Sequence, residues 1–148
     1  MSLPRVASFQ DLIVYQKSRV FQREIFQLSR SFPREENFSL TDQIRRSSRS
    51  IGANIAEAWA KRRYDKHFVS KLTDSDGEQH ETQHWIITAF DCGYINQSQS
   101  NMLMERCKEI GRMLGGMIER ADTFWDDSKL IRESAAEYFT DSANLLFD

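Results

Sequence analysis

Apolar residues recur along this chain at intervals of three and four, the spacing that places them on one side of an α-helix. In one segment the series consists of Ile44, Ser48, Ile51, Ile55 and Ala58. In another it consists of Leu103, Cys107, Ile110, Leu114, Met117 and Ala121. Each series predicts a helix that buries one stripe against its neighbours.

Four helices follow from such stripes and from the residues that interrupt them. We predict a first helix over residues 8–31, a second from Ser39 or Thr41 to residue 63, a third over residues 66–91, and a fourth that starts at Ser98 or Ser100 and completes a bundle ending at residue 122. Ser8 with Asp11 resembles a capping box, Phe32-Pro33 ends the first helix, Asp65 is a candidate N-cap and Gly93 a candidate C-cap. Short connections between long helices predict an all-α fold, an antiparallel up-down-up-down four-helix bundle over residues 8–122. For residues 123–148 we predict a short C-terminal helical extension or a partly disordered tail, with a helix from Lys129 to Thr140.

The third helix has a polar centre in its buried stripe. The stripe runs through Phe68, Leu72, Ser75, Gln79, Thr82, Ile86 and Phe90. Asn54 and Glu57 lie beside the apolar stripe of the second helix, and we expect them to hydrogen-bond to Ser75, Gln79 or Thr82. The alternative is a ligand site within the bundle.

Small residues occupy a second face of the second helix, away from its apolar stripe. They are Gly52, Ala53, Ala56 and Ala60. Alanine is also a good helix former on a solvated face, but glycine costs about 1 kcal/mol relative to alanine in a helix interior. We therefore interpret this face as an interface between subunits of a homo-oligomer.

Charge is unevenly distributed, although the net charge is only −2. Between Gln43 and Lys71 eight basic residues face two acidic ones, a net of +6, and from Glu119 to Asp148 eight acidic residues face three basic ones, a net of −5. Phosphate binding requires only mobile cations on one exposed surface. The candidate nucleic-acid-binding residues are Arg45, Arg46, Arg49, Lys61, Arg62 and Arg63. The alternative is a solvated, salt-bridged face.

Other classes of function find little support in the residues. Glu81 and His84 form one Glu-x-x-His pair, but a di-iron bundle needs two such pairs and two further glutamates, so we predict no metal and no cofactor. A phosphate loop or nucleophile elbow is absent from the sequence, so we predict no catalytic residues and no enzymatic activity. We also expect no membrane span, no secretory signal and two free cysteines, hence a cytoplasmic protein.

Several segments resemble the 23S rRNA intervening-sequence protein family, also called the S23 ribosomal or four-helix-bundle protein family. These segments are Phe9 to Gln16, Phe32-Pro33 with Glu35-Glu36, and above all Leu40 to Glu57, with its Gln-Ile-Arg-Arg and Asn-Ile-Ala-Glu runs. The resemblance spans about residues 9–118. Ala58 stands where the family usually has glycine, and the third helix departs from the usual pattern, which indicates a divergent branch.

The resemblance implies a bacterial bundle that assembles as a homopentamer, in a family without a settled biochemical activity. It also implies similarity to the pentameric accessory protein of diversity-generating retroelements, which binds nucleic acid and a reverse transcriptase. Our first hypothesis is a homo-oligomer that binds RNA or a nucleoprotein through basic residues. The alternatives are a protein-binding scaffold, or a metal or small-ligand bundle that uses Asp76, His80, Glu81 and His84.

Overall fold

The computed structural model describes residues 6–123 of the 148-residue chain. Four helices dominate them: α1 (Ile13–Ser29), α2 (Leu40–Ala60), α3 (Asp65–Asp91) and α4 (Gln97–Glu119). Short 3-10 turns lie at Phe9–Asp11, Arg34–Glu36 and Ala121–Thr123. The predicted C-terminal extension, including the helix from Lys129 to Thr140, lies outside the described residues apart from Thr123.

Each helix packs against the next one in the chain, and α1 also packs against α4, so that the four helices surround one core. This arrangement confirms the predicted four-helix bundle. In the described part of the chain, no helix has both the length and the apolar composition that crossing a membrane requires.

The predicted stripes of α2 and α4 are buried in full, because their spacing matches the turn of the helix. The stripe of α3 is correct from Phe68 to Ile86 but wrong at its end. Phe90 is 39% exposed, and Ala89 takes the buried position instead. The small side chain of Ala89 lets the end of α3 lie close to its neighbours.

The first helix is shorter than we predicted. Ser8 and Asp11 do form a capping box, but the box caps the 3-10 turn at Phe9–Asp11. Leu12 then adopts an extended backbone, with φ −69° and ψ 126°, and α1 begins at Ile13. Leu12 is fully buried, so its side chain lies in the core at the point where the backbone leaves the helical conformation.

The N-terminal ends of α3 and α4 also differ from the expected ones. Asp65 is the first residue of α3 and not its N-cap, which is Tyr64 and makes no side-chain capping bond. The N-terminus of α4 is capped by Asn96, whose side chain accepts a hydrogen bond from the backbone N–H of Gln99 at 2.8 Å. The Gln99 side chain bonds the Asn96 N–H in return, also at 2.8 Å. The predicted start of this helix, at Ser98 or Ser100, lies one to three residues after the observed start at Gln97.

Gly93 ends α3 in the way that its sequence position predicts. Its φ of +77° lies in the left-handed region, which is open to glycine and strained for other residues. The backbone N–H of Tyr94 donates to the carbonyl of Ala89 at 2.9 Å, and that of Gly93 donates to Phe90 at 2.9 Å. These two bonds form a Schellman motif.

We predict that Gly93→Ala lowers the free energy of unfolding by about 1 kcal/mol, because alanine is strained at this φ. Gly77→Ala is the matched control, since Gly77 lies within α3 and an added methyl group there would have no neighbour within 4 Å. That variant should be more stable than the parent by about 0.5–1 kcal/mol. Urea unfolding followed by circular dichroism measures both, and equal effects would contradict the motif's role.

Candidate functional surface on helix α2 and the polar core beside it

The polar centre of α3 is buried and bonded to α2. Ser75 Oγ donates to the carbonyl oxygen of Ile51 at 2.8 Å. Thr82 lies seven residues after Ser75 on the same stripe of α3. Its Oγ1 is 2.8 Å from Ser47 Oγ on α2. Because Ser75 and Thr82 are two helical turns apart, these bonds fix how α3 lies along α2.

Gln79 lies between those two bonds and joins α3 to α4. Its backbone carbonyl and its side-chain Oε1 face the Cys107 thiol, at 3.1 and 3.3 Å from Sγ. Its Nε2 donates to Asp76 Oδ1 at 3.0 Å, and its Oε1 accepts from Gln83 Nε2 at 2.7 Å. The buried amide therefore has partners for both its donor and its acceptor, as a polar group in a core requires.

Cys107 is a structural thiol in this setting. Burial raises its pKa to about 12, and Asp76 adds to the rise. A thiol with this pKa stays protonated at neutral pH and is a poor nucleophile. Cys92, in contrast, is exposed, and both cysteines are free.

Asn54 and Glu57 are not part of this polar core, contrary to our expectation. The Asn54 side-chain amide donates to the backbone carbonyl of Ser50 at 2.9 Å, one turn earlier in α2. Glu57 forms an ion pair with Lys71 Nζ at 2.9 Å on the surface, and this contact lowers the pKa of Glu57. The residues of α2 that do bond the centre of α3 are Ile51, which belongs to the apolar stripe of α2, and Ser47, which is buried beside it.

Gly111 is the residue of α4 that makes room for the Gln79 amide. A methyl group added at Gly111 would lie 2.6 Å from Gln79 Nε2 and 3.1 Å from its Cδ. Sequence analysis missed this role, although a glycine within a strong helical stripe is a signal of close packing.

We predict that Gly111→Ala lowers the free energy of unfolding by about 1–3 kcal/mol, because Gln79 must give up buried hydrogen bonds to make space. Gly115→Ala on the same helix is the control, since nothing lies within 4 Å of the added methyl group. It should be neutral or stabilising by up to about 1 kcal/mol. Urea unfolding of both variants decides the matter, and a Gly111→Ala protein as stable as Gly115→Ala would contradict the packing argument.

Gly52 faces the inside of the bundle, which corrects its assignment to an outer interface. A methyl group added there would lie 3.0 Å from Ser18 Oγ and 3.5 Å from the Tyr15 ring. Its small size is therefore explained by the close approach of α1 and α2 within one chain. Ala53 and Ala60 are exposed and Ala56 is half-buried, so these three alanines remain candidates for an interface.

Arg45 and Arg49 lie along the seam between α2 and α1. Both guanidinium groups stack on the Phe26 ring, at 4.8 and 5.7 Å from its centroid. Arg45 is half-buried and donates from Nε to Ser29 Oγ at 2.8 Å, whereas Arg49 is exposed. Arg45 therefore contributes to packing as well as to charge.

Arg46 lies on the opposite flank of α2, towards an acidic stretch of α3. Burial raises the pKa of Glu78, and the neighbouring carboxylates of Glu81 and Asp74 raise it further. Arg46 opposes that rise, so part of its charge is balanced by Glu78. The three arginines of this end of α2 thus point to two sides of the helix.

The remaining three candidates lie at the other end of α2. Lys61 and Arg63 are exposed in the connection to α3. The Arg62 guanidinium stacks on Trp59 at 4.4 Å and donates to the Trp59 carbonyl at 3.0 Å. Sixteen residues separate Arg45 from Lys61, about 24 Å along a helix, so the six cations form two groups and not one patch. We call them the Arg45–Arg49 group and the Lys61–Arg63 group.

The histidine-containing segment of α3 is exposed. His80 Nδ1 lies 2.9 Å from the carbonyl oxygen of Asp76 and 3.7 Å from a carboxylate oxygen of the same residue. Within residues 6–123, no three His, Cys, Asp or Glu side chains converge in the way a bound metal ion requires.

Two surface features were not predicted from the sequence. A groove of about 320 Å³ lies between α1 and α4, where Lys17 pairs with Glu109 at 2.6 Å and Arg106 pairs with Glu24. Phe38, in the connection before α2, is 98% exposed. A lone aromatic in a polar loop gives no sequence signal that separates an exposed ring from a buried one.

Comparison with known protein families identifies one that matches this bundle. The family model of the 23S rRNA-intervening sequence protein matches residues 10–116. The chain belongs to this family. The match covers all four helices except the last residues of α4.

A solved structure of the S23 ribosomal protein family is similar to this chain. It is the crystal structure of a protein of unknown function from the S23 ribosomal protein family of Bacteroides thetaiotaomicron. The two sequences are 31% identical, the alignment covers 72% of this chain and 96% of that one, and the TM-score is 0.67. Among curated proteins no match was found.

Proposed function

We propose that this family member is a non-enzymatic, homo-oligomeric binding protein that holds RNA or a nucleoprotein through the basic residues of α2. The observation that supports it best is the outward face of α2. On that face exposed Ala53 and Ala60 lie between the Arg45–Arg49 group and the Lys61–Arg63 group. One helix thus offers a smooth surface for another copy and cations on both sides of it.

The alanines support the oligomeric part of the proposal. Side chains this small let the backbone of a second helix approach closely. The face is exposed in the single chain, and the core stripe of α2 already accounts for its packing within the bundle. Five subunits remain the number that the family resemblance implies.

The exposed cations support the nucleic-acid part. Arg46, Arg49, Lys61 and Arg63 are exposed, whereas Arg45 and Arg62 are held by packing on Phe26 and Trp59. Phosphate contacts need reach and charge more than fixed geometry, so we assign the contacts to the four exposed residues.

A protein-binding scaffold without a nucleic-acid role is the second candidate. The nearly complete exposure of the Phe38 ring favours it, because exposed aromatic side chains are enriched where proteins bind one another. The RNA-binding experiment separates the two candidates.

We predict that the double variants Arg46→Gln/Arg49→Gln and Lys61→Gln/Arg63→Gln each weaken RNA binding. Each removes two phosphate contacts, so the slope of log K against log salt should fall by about 1.4 for single-stranded RNA. Fluorescence anisotropy with a labelled RNA, titrated at several KCl concentrations from about 50 to 200 mM, would measure the affinity and its salt slope.

The matched control is Lys108→Gln/Arg112→Gln, which removes two exposed cations from α4. It should leave affinity and salt slope unchanged. Equal losses in all three variants would indicate a nonspecific charge effect. RNA binding that is absent, or independent of salt, would overturn the nucleic-acid part and favour the scaffold.

We also predict that Ala53→Glu reduces the mass of the assembly, because the longer, charged side chain keeps a second helix from approaching this face closely and is costly to bury in an interface. Native mass spectrometry measures the effect directly. Ser98→Glu, at an exposed position in the first turn of α4, is the control and should keep the parental mass. An assembly of unchanged mass in Ala53→Glu, or a monomeric parent protein, would contradict an interface at this face.

A further inference from the structure

Helix α4 ends at the same end of the bundle as the C-terminus of α2 and the basic residues that follow it. Cys107 bonds to Gln79, and Gly111 packs on the same residue, which sets the antiparallel alignment of α4 with α3. Continuing that alignment places Ala121 level with the first turns of α3, which begins at Asp65. The 3-10 turn at Ala121–Thr123 contacts α3, and Ala121 is buried, so the chain is held there.

A positive surface lies at this place. We define the basic turn as residues 61–66, the connection from α2 to α3 with the start of α3. It carries four cations (Lys61, Arg62, Arg63 and Lys66) and one acid (Asp65), a net of +3. Tyr64 is 66% exposed beside them and offers an apolar contact.

The sequence that follows has the opposite charge. Residues 124–148 contain six acidic and two basic side chains, a net of −4, and they begin with the aromatic pair Phe124-Trp125. Asp126 and Asp127 follow Thr123 by three and four residues, within about 10–14 Å of extended chain. The first carboxylates therefore follow within a few residues of the turn that contacts α3.

We propose that the acidic segment 124–148 docks on the basic turn of its own chain and competes there with RNA phosphates. The competition rests on the proposed function, whereas the docking does not. Individual exposed ion pairs are weak and are screened by salt. Several pairs on a short tether add up, because the tether keeps the carboxylates at an effective concentration in the millimolar range.

The docking predicts a specific pattern of zero-length crosslinks in the full-length protein. A carbodiimide joins lysine amines to carboxylates that touch them, so we expect links from Lys61 or Lys66 to Asp126, Asp127 or Glu133. Mass spectrometry of the species with the mass of one chain identifies them. Their yield should fall several-fold between 50 and 500 mM salt, because screening separates exposed charges.

Lys108 is the internal control, since it is exposed on α4, thirteen residues or about 20 Å before Ala121. Links to Lys108 as abundant as those to the basic turn would overturn the docking. So would links found only in species of twice the chain mass, because the segment would then bind a neighbouring copy. In Asp126→Asn/Asp127→Asn the links to these two positions should disappear and those to Glu133 should weaken.

A separate measurement tests the competition. Neutralising the segment in the full-length chain, with Asp126→Asn, Asp127→Asn, Glu133→Gln and Glu137→Gln, should tighten RNA binding by about two- to tenfold. Unchanged affinity, while Lys61→Gln/Arg63→Gln still weakens binding, would overturn the competition and leave the proposed function standing. Absence of RNA binding in every variant would overturn the proposed function, and the crosslinks would still decide the docking.

Discussion

The hydrogen bonds from Ser75 and Thr82 to α2 hold the bundle in register. Apolar contacts are not directional, so by themselves they specify the axial alignment of two packed helices only weakly. Polar bonds at 2.8 Å do not slide, since a shift leaves buried donors and acceptors without partners. Gln79, between them, extends the same constraint to α4 through Cys107. These contacts therefore join α2, α3 and α4 through one buried polar cluster.

The register also decides which faces of α2 are open. With Ile51 and Ser47 committed to α3, and Gly52 packed against Ser18 and Tyr15 of α1, two flanks of α2 are used within the chain. The third flank, with Ala53 and Ala60, is exposed. The Arg45–Arg49 group is divided by the same geometry, because Arg45 turns to Phe26 and Arg46 turns towards Glu78. A stretch that is mainly basic in sequence is therefore divided between different sides of α2.

The alignment of α4 with α3 joins, at one end of the bundle, residues that are far apart in sequence. The basic turn comprises residues 61–66, and the 3-10 turn that follows α4 begins at Ala121. Antiparallel packing places the buried Ala121 level with the first turns of α3. The docking proposed for the acidic segment depends on this alignment.

By itself, the sequence determined the helices, their order and most of the core, because the 3.6-residue period needs only local spacing. It also predicted the family, from the run Leu40 to Glu57. The tertiary structure alone decided which partner each polar residue takes. Asn54 bonds its own helix, Glu57 pairs with Lys71, and Gly52 faces inward, because these outcomes depend on the rotation and register of neighbouring helices. Gly111 shows the same limit, since the side chain for which it makes room lies 32 residues earlier, on α3.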